Sequence, residues 1–441
     1  MANRSHIRVL SVCTSDTSGG AARAAYRIHQ GVRSLGVDSR MFVKNKSSQD
    51  PYVHALAEYA PNNSLYNALD WCVNKVKNKI QHYYWNQYPN KDVNYKSDIR
   101  GSRLHGALQA WDYDVLHLHW INGRFIDIDD LRKVNKPIVW TLHDSWPFCG
   151  ICHYFLSCDG YQHQCGNCPQ LGSSNLNDIS HKVWQRKAEI YKDLDVRIVS
   201  PSKWLADCAQ KSSLFGDRDI CVIPNCLDTG LFRPLSKDDI RVIAERQQNA
   251  VVRCILCEAN EEKGLAKPLI LFGAMQAAKD RIKGFINLLS ALQLLDEQGF
   301  EASFVVFGAE AQELPMQFKN IDLTFVGYIR DAAVLTALYT ISNVMVVPSF
   351  SEVFGQTASE AMACATPVVA FRCTGIQDVV EDGCGYLAEP YSSEALANGI
   401  RYCIEHNPDN VLGKAARLSV EKRFAMDFVA KQYMQLYESL V

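Results

Sequence analysis

The sequence predicts an α/β protein with two doubly wound parallel sheets, and three observations carry that expectation. Short apolar runs alternate with longer amphipathic ones along the chain, the pattern of strands buried beneath covering helices. The apolar runs fall into two sets of comparable size. Between the sets lies "VIPNCLDTGLFRPLSKDDI", polar and proline-marked, which suits a linker near residues 215–235. With 441 residues, 47% of them hydrophobic and 21% charged, the chain can fill two cores.

The first set places strands at "IRVLSVC", "DSRMFVK", "DVLHLHW", "PIVWTLH" and "VRIVSPS". The leading run is short and enters a glycine loop directly, so it reads as a strand and lacks the layout of a signal peptide. The second set is "LILFGAM", "SFVVFGA", "LTFVGYI", "NVMVVPS" and "TPVVAFR". "QTASEAMAC" has helical character and stops before Pro367. The final "FAMDFVAKQYMQLYESLV" has helical periodicity with aromatic anchors and can pack on either domain. From 63 to 88 the chain mixes lysines with tryptophan and tyrosine. That segment reads either as a docked helix or as a basic-aromatic surface for a membrane interface or lipid-linked substrate.

The formal net charge of −2 gives no electrostatic case for a nucleic-acid binder. No apolar run reaches the length of a membrane span. Sixteen cysteines without an export signal point to a reducing compartment, and the expectation is a cytoplasmic protein.

Several motifs can carry chemistry. Gly19 and Gly20 sit between the first strand and a helix, where backbone N–H groups can approach an anion. A plain tight turn uses the same residues, and the dinucleotide pattern G-x-G-x-x-G is absent. His117 and His119 share one face near the end of "LHLHW", and His143 with Asp144 ends "WTLHD". Ligands bind outside the carboxyl ends of such strands, although histidines there are also common as hydrogen-bonded structural residues. Asp144 beside His143 could tune its protonation. Lys283-Gly284 stands at a loop-to-helix junction, where a lysine can offset charge developing on a diphosphate or simply be solvated.

Glu352 and Glu360 lie in "SEVFGQTASEAMACATPVVAF". On one helix, eight positions would set them roughly 80° apart, which is not a shared face. Glu352 therefore belongs to a loop and Glu360 to the helix, so the two suit different points on one extended ligand. The amides around Phe354, Gly355 and Gln356 open that helix toward a polar or anionic group. An acid pair for glycoside hydrolysis is the rival reading.

Taken in order, "TSGGAARAAY", "DVLHLHW", "WTLHD", "VSPSKWLAD", "VIPNCLDTGLFRP", "KGFINLLSAL", "FVGYIRDAAVL", "VVPSFSEVFGQTASEAMACATPVVAF" and "CTGIQDVVEDGCGYL" resemble the GT-B glycosyltransferases of family 4 with the E-x7-E signature. The resemblance covers nearly the whole chain. "TLHDSWPFCGICHYFLSCDGYQHQCGNCPQL" looks, more narrowly, like bacterial exopolysaccharide enzymes of the colanic-acid type.

The resemblance implies two Rossmann-like domains facing a central cleft: an acceptor-binding domain over 1–218 and a donor-binding domain over 219–418. It also implies a C-terminal helix over 419–441 that crosses back to the first domain. Glu360 would bind the ribose, while Glu352 with the backbone of Phe354 and Gly355 would hold the donor sugar. Lys283 would face the diphosphate, with Gly20 approaching from the other domain and Ile329 bordering the base. His143 would stand near the reacting carbon, with Gly19, His119 and Asp144 on the acceptor side. One departure is Ala277, where such enzymes usually carry an arginine; Arg281 lies closer to Lys283.

The resemblance implies sugar transfer with retention and without a catalytic metal. The implied partners are a UDP- or GDP-sugar and a lipid-linked saccharide, with peripheral contact at the inner membrane and a role in exopolysaccharide assembly. A sugar-nucleotide-binding partner without turnover, and a nucleotide-sugar epimerase of the same shape, are the alternatives.

Cys149-x2-Cys152 and Cys165-x2-Cys168, twelve residues apart, come near zinc-ribbon spacing, with Cys158, His153 and His163 nearby. A structural zinc, reduced packed thiols, and a disulfide or redox role are the three readings. The resemblance implies Cys152, Cys158, Cys165 and Cys168 as the recurring set, which leaves Cys149 as a spare.

Overall fold

The computed structural model describes residues 7–55, 85–90, 111–261, 264–274, 280–311 and 316–441, with isolated positions 75, 76, 79, 83 and 108. Most of the lysine-aromatic segment 63–88, and Ala277, lie outside the described residues. The chain forms two compact units, Met1–Pro224 with Val429–Val441, and Asn225–Phe428.

The first unit holds a parallel sheet of β1 (Arg8–Ser15), β2 (Asp38–Asn45), β3 (Val53–Ala55), β4 (Val115–Leu118), β5 (Ile138–Thr141), β6 (Val196–Ser200) and β7 (Ile220–Val222). The strand order is β3-β2-β1-β4-β5-β6-β7. Every residue of β4 and β5 is buried, as expected where helices cover both faces of a parallel sheet. Helix α1 (Gly20–Ser34) buries Ala25, Ile28, His29 and Val32, spaced three and four residues apart. The N-termini of α2 (Ile179–Tyr191) and α3 (Lys203–Lys211) are capped by the side chains of Asp178 and Ser202.

The second unit holds β8 (Leu269–Gly273), β9 (Ala302–Phe307), β10 (Ile321–Gly327), β11 (Val344–Val347), β12 (Val368–Phe371) and β13 (Gly385–Ala388), in the order β10-β9-β8-β11-β12-β13. Strand periodicity divides its core into two layers: Leu269 and Leu271 face one cluster, Ile270 and Phe272 the other. The helices are α4 (Lys237–Arg246), α5 (Ala250–Asn260), α6 (Phe285–Glu297), α7 (Ala332–Ile341), α8 (Gln356–Ala363), α9 (Ser393–Glu405) and α10 (Val411–Arg423).

The chain enters and leaves this second unit side by side. Leu227 N donates to Phe424 O at 2.8 Å, and Met426 N donates to Leu227 O at 3.0 Å. Helix α11 (Met426–Glu438) then passes into the first unit from Val429 onward, later than the position 419 set from sequence. It buries Val429, Ala430, Tyr433 and Tyr437 there. The first boundary falls after Pro224 rather than after 218.

Each sheet has one place where the strand order turns around, between β1 and β4 in the first and between β8 and β11 in the second. In open α/β sheets that switch point is the usual place for a ligand.

Candidate functional site

Two groups of residues stand at these switch points, one in each unit. In the second unit, β8 leads toward a short turn, Arg281–Lys283, and β11 leads to the loop carrying Glu352. The loops are stitched together where Phe350 N donates to Ile282 O at 2.7 Å. Gly284 adopts φ +65, and a Cβ there would lie 1.9 Å from Pro348 O. Only glycine fits that close approach in the left-handed region. Lys283 is thereby held against Glu352, with Nζ 2.6 Å from Oε1.

Further contacts fix Glu352. Ser349 Oγ donates to the same Oε1 at 3.0 Å. Glu352 N donates to Thr374 Oγ1 at 3.0 Å, and Gly375 N donates to Glu352 O at 2.8 Å. The side chains of Lys283 and Glu352 remain 25% and 18% exposed, so the pair sits at the rim of the unit, reachable by a polar ligand. Arg281 is exposed, and the ion pair with Glu352 is made by Lys283.

Glu360 has a different environment. It lies on α8, 0% exposed, where Tyr339 OH donates to Oε2 at 3.1 Å. Glu352 is thus on the loop and Glu360 on the helix, but only the first is open to solvent in this structure. Phe354 is buried edge-on against Phe424. Gly355 opens α8 at φ +89, and a Cβ there would meet Ile376 Cδ1 at 2.3 Å. Ile329 is partly buried against the same core.

In the first unit, Gly19 caps α1 with φ +93 and ψ 168, and Gly20 is the first helical residue. The space where a Gly19 side chain would stand is open. Asp16 ties this loop to the one after β2: it accepts from Ser48 N at 2.7 Å and from Ser47 N at 3.0 Å.

The histidines form a chain. His119 Nδ1 lies 3.0 Å from His143 Nε2, and His117 bridges Tyr437 OH at 2.6 Å and Thr141 Oγ1 at 2.8 Å. Thr141 Oγ1 lies 3.0 Å from Tyr433 OH. His117 and His119 do share a strand face, with ring centroids 4.0 Å apart. Burial pushes His117 down to about 3 and His143 to about 4, and it lowers His119 as well. These rings are neutral at physiological pH. His143 is partly exposed, while His117 and His119 are buried.

Asp144 acts on His143 by charge: burial lowers the ring's pKa and the nearby carboxylate pulls it partly back up. Its carboxylate pairs with His153 Nδ1 at 2.6 Å rather than with His143, and it accepts from Trp120 Nε1 at 2.7 Å and Trp146 N at 2.9 Å. Burial pushes its carboxyl up, but His153 and the two N–H donors outweigh that and hold it below the usual range. The partner of His143 is His119.

The five cysteines 149, 152, 158, 165 and 168 line one cavity of about 20 Å³. All are free thiols. Cys152 Sγ donates to Gln170 Oε1 at 3.1 Å, and Gly150 N donates to Cys165 Sγ at 3.3 Å. Among the described residues no group of three or more His, Cys, Asp or Glu side chains is placed so that it could hold a metal ion. His153 is engaged with Asp144, away from any ligand role in this cavity.

The sequence reading did not single out Ser349, Thr374, Tyr339, Thr141, Tyr433 or Tyr437, which hold the residues it named. Thr374 and Ser349 fall inside motifs quoted above, but no spacing rule marks a hydroxyl as a support for a carboxylate. No helix among the described residues is long and apolar enough to cross a membrane.

Comparisons with known proteins agree across both halves. The family described as Glycosyltransferase Family 4 matches residues 18–231, and the family described as Glycosyl transferases group 1 matches residues 259–419. WcaC of Escherichia coli, a glycosyl transferase named for colanic acid biosynthesis, is 30% identical over 125 residues, covering 26% of this chain and 30% of that protein. The D-inositol 3-phosphate glycosyltransferase of Corynebacterium aurimucosum is 23% identical over 74% of this chain and 72% of its own. HepE of Anabaena, solved with UDP and glucose, superposes with a TM-score of 0.61 at 17% identity, covering 99% of this chain and all of that one.

Proposed function

The chain belongs to the GT-B glycosyltransferases, with a family 4 half followed by a group 1 half, and from that premise we propose that it transfers one sugar, with retention, from a UDP- or GDP-sugar to a lipid-linked saccharide in bacterial exopolysaccharide assembly. The observation that carries the reading is the Lys283–Glu352 pair at the switch point of the second sheet.

In that reading the arriving donor splits the pair. The diphosphate takes Lys283, whose charge then stabilises the leaving group, while hydroxyls of the sugar donate to Glu352 in place of the ammonium. The N–H groups at the start of α8, around Phe354 and Gly355, add a partial positive charge beside the same ligand. Glu360 reaches the ribose once Tyr339 gives up its bond or shares the carboxylate. Such a carboxylate discriminates a hydroxyl pair because a ligand lacking it leaves a buried acceptor unpaired.

On the acceptor side, His143 is neutral and partly exposed, and His119 holds its Nε2. A neutral imidazole oriented by a second imidazole can take or pass a proton from an acceptor hydroxyl. The leaving diphosphate oxygen accepts that proton in a same-face transfer. The assignment to colanic-acid-type assembly is supported by the likeness to WcaC.

A thermal-shift screen against UDP- and GDP-sugars, followed by NMR of the product's anomeric proton, tests the reading. Stabilisation by one donor class and a product with the donor's own anomeric configuration are expected. An inverted product would contradict the retaining assignment.

A further inference from the structure

We propose that the first unit carries a second binding site, a groove for a neutral oligosaccharide at the N-terminal edge of its sheet, the end opposite His119 and His143. Two adjoining cavities form it, of about 250 and 200 Å³, and Trp111, Asp112 and Tyr113 line both. A packed interior leaves few voids larger than a water molecule, so spaces of this size are not gaps between core side chains. Together they reach the ~300–1,000 Å³ of pockets that take small ligands.

The strand order lays the groove across four strands. Arg40 comes from β2, Arg8 from the start of β1, Tyr113 from just before β4 and Lys136 from just before β5. These strands are neighbours in the order β2-β1-β4-β5, so three spacings of ~4.8 Å give a span of ~14 Å. That length suits several linked sugars. Along β1, the seven steps from Arg8 to Ser15 at ~3.3 Å each set the groove ~23 Å from the loop that carries Gly19. A ligand in the groove is therefore clear of the histidine cluster.

The lining selects by hydrogen-bonding pattern and not by net charge. The first cavity sets Arg8 and Arg40 against Asp38 and Asp112, and the second sets Lys133 and Lys136 against Asp112 and Asp130. Two cations and two carboxylates in each leave no excess to attract a phosphate or a polyamine. The charges are already paired with one another. Arg8 reaches Asp112 and Asp114, the latter at 2.7 Å, and Lys133 Nζ lies 3.1 Å from Asp130 Oδ1. Arg40 Nε stands 3.8 Å from Asp38 Oδ1, with its guanidinium carbon 5.7 Å from the Trp111 ring centre. A hydroxyl both donates and accepts, so a row of sugar hydroxyls meets paired cations and carboxylates without bringing in a charge of its own.

Trp111 and Tyr113, both partly exposed, supply the other half of sugar recognition. A pyranose has a face of C–H groups that rests against the electron-rich face of an aromatic ring, while its hydroxyls point to the edge. Trp111 is steadied by two rings that meet it edge-on, His54 with centroids 4.6 Å apart and Phe42 at 6.1 Å. Phe42 is itself buried and packs on Phe125. The saccharide at hand is the chain that the proposed reaction extends, and in that identification alone the inference rests on the proposed function. The groove holds a stretch of that chain remote from the end being extended.

The test is a saturation-transfer NMR titration of the full-length protein, without nucleotide-sugar. The probes are maltotetraose, cellotetraose and mannotetraose, the monosaccharides glucose and mannose, and inorganic pyrophosphate. At least one tetrasaccharide should bind, and more tightly than its monosaccharide, because only the longer ligand spans the groove. Trp111→Ala should weaken that binding ~10-fold, the worth of one aromatic contact. Arg40→Ala and Lys136→Ala change exposed side chains and should also weaken it, which covers a Trp111→Ala protein that folds poorly. His143→Ala should leave it unchanged. Failure of every tetrasaccharide to bind overturns the proposal, as does binding that Trp111→Ala, Arg40→Ala and Lys136→Ala all leave unchanged. Pyrophosphate binding that Arg40→Ala abolishes would make the groove an anion site and overturn it too. With no donor present, groove binding supports the inference whether or not transfer is seen, and transfer without groove binding overturns this inference alone.

Discussion

At the scale of single residues, the claims concern Lys283, Glu360 and His143. Replacing Lys283 with Ala should lower kcat by ~10²–10³-fold, the loss seen when one preorganised electrostatic group is removed. Steady-state kinetics check this, with donor affinity changing less than turnover. Glu360 separates binding from folding. Glu360→Gln keeps an acceptor for Tyr339 OH and should fold normally while weakening nucleotide binding. Glu360→Ala removes the carboxylate that accepts from the buried Tyr339 hydroxyl and should also cost ~1–3 kcal/mol of stability. Equal donor affinity in wild type and Glu360→Gln, by calorimetry, would remove Glu360 from the site. His143→Ala should lower turnover and leave donor affinity near its original value.

At the scale of elements, the two stitched loops and helix α11 carry the predictions. Gly284→Ala forces a Cβ against the Pro348 carbonyl in a left-handed turn, so it should destabilise the second unit and misplace Lys283. A fall in melting temperature together with reduced kcat is the expected result. Tyr437→Phe removes the hydroxyl that meets His117 and should cost ~1–2 kcal/mol by denaturant titration. Tyr433→Ala empties a fully buried aromatic position and should cost ~3–5 kcal/mol.

The ten strands expected from sequence all exist, because each is an apolar run, and those in the sheet interiors are buried along most of their length. The strands not expected, β3, β7 and β13, are sheet edges of three or four residues. An edge strand is covered on fewer sides, so "VHA" and "ICV" carry too little apolar pattern to stand out. The same limit applies to the site. Glu352 on a loop and Glu360 on a helix were legible from spacing. The burial of Glu360 behind Tyr339 was not, because that partner lies on α7, remote in sequence.

At the scale of the whole molecule, the neutral buried histidines make stability depend on pH. His29, His117 and His143 have folded values of about 4, 3 and 4, below the ordinary 6.5. The unfolded chain binds protons below 6.5 that the folded chain refuses, so stability is full above 6.5 and falls as pH drops toward 4. For the fully buried His117, the loss by pH 5 amounts to ~2 kcal/mol. Melting curves from pH 7.5 to 4.5 should therefore shift steadily downward below 6.5, and a flat profile would contradict the neutral assignment. The Lys283–Glu352 pair lies in the half that matches group 1, residues 259–419, and the histidine cluster in the half that matches family 4, residues 18–231.

The central claim is that these two halves together turn over a nucleotide-sugar. Purified full-length protein would be incubated with each of a set of UDP- and GDP-sugars, with and without a lipid-linked oligosaccharide from bacterial membranes, and free nucleotide would be measured. The account predicts release of UDP or GDP with one donor class, strongly dependent on the acceptor and lost in Lys283→Ala. Tight binding of a nucleotide-sugar with no release from any donor and acceptor pair would contradict it.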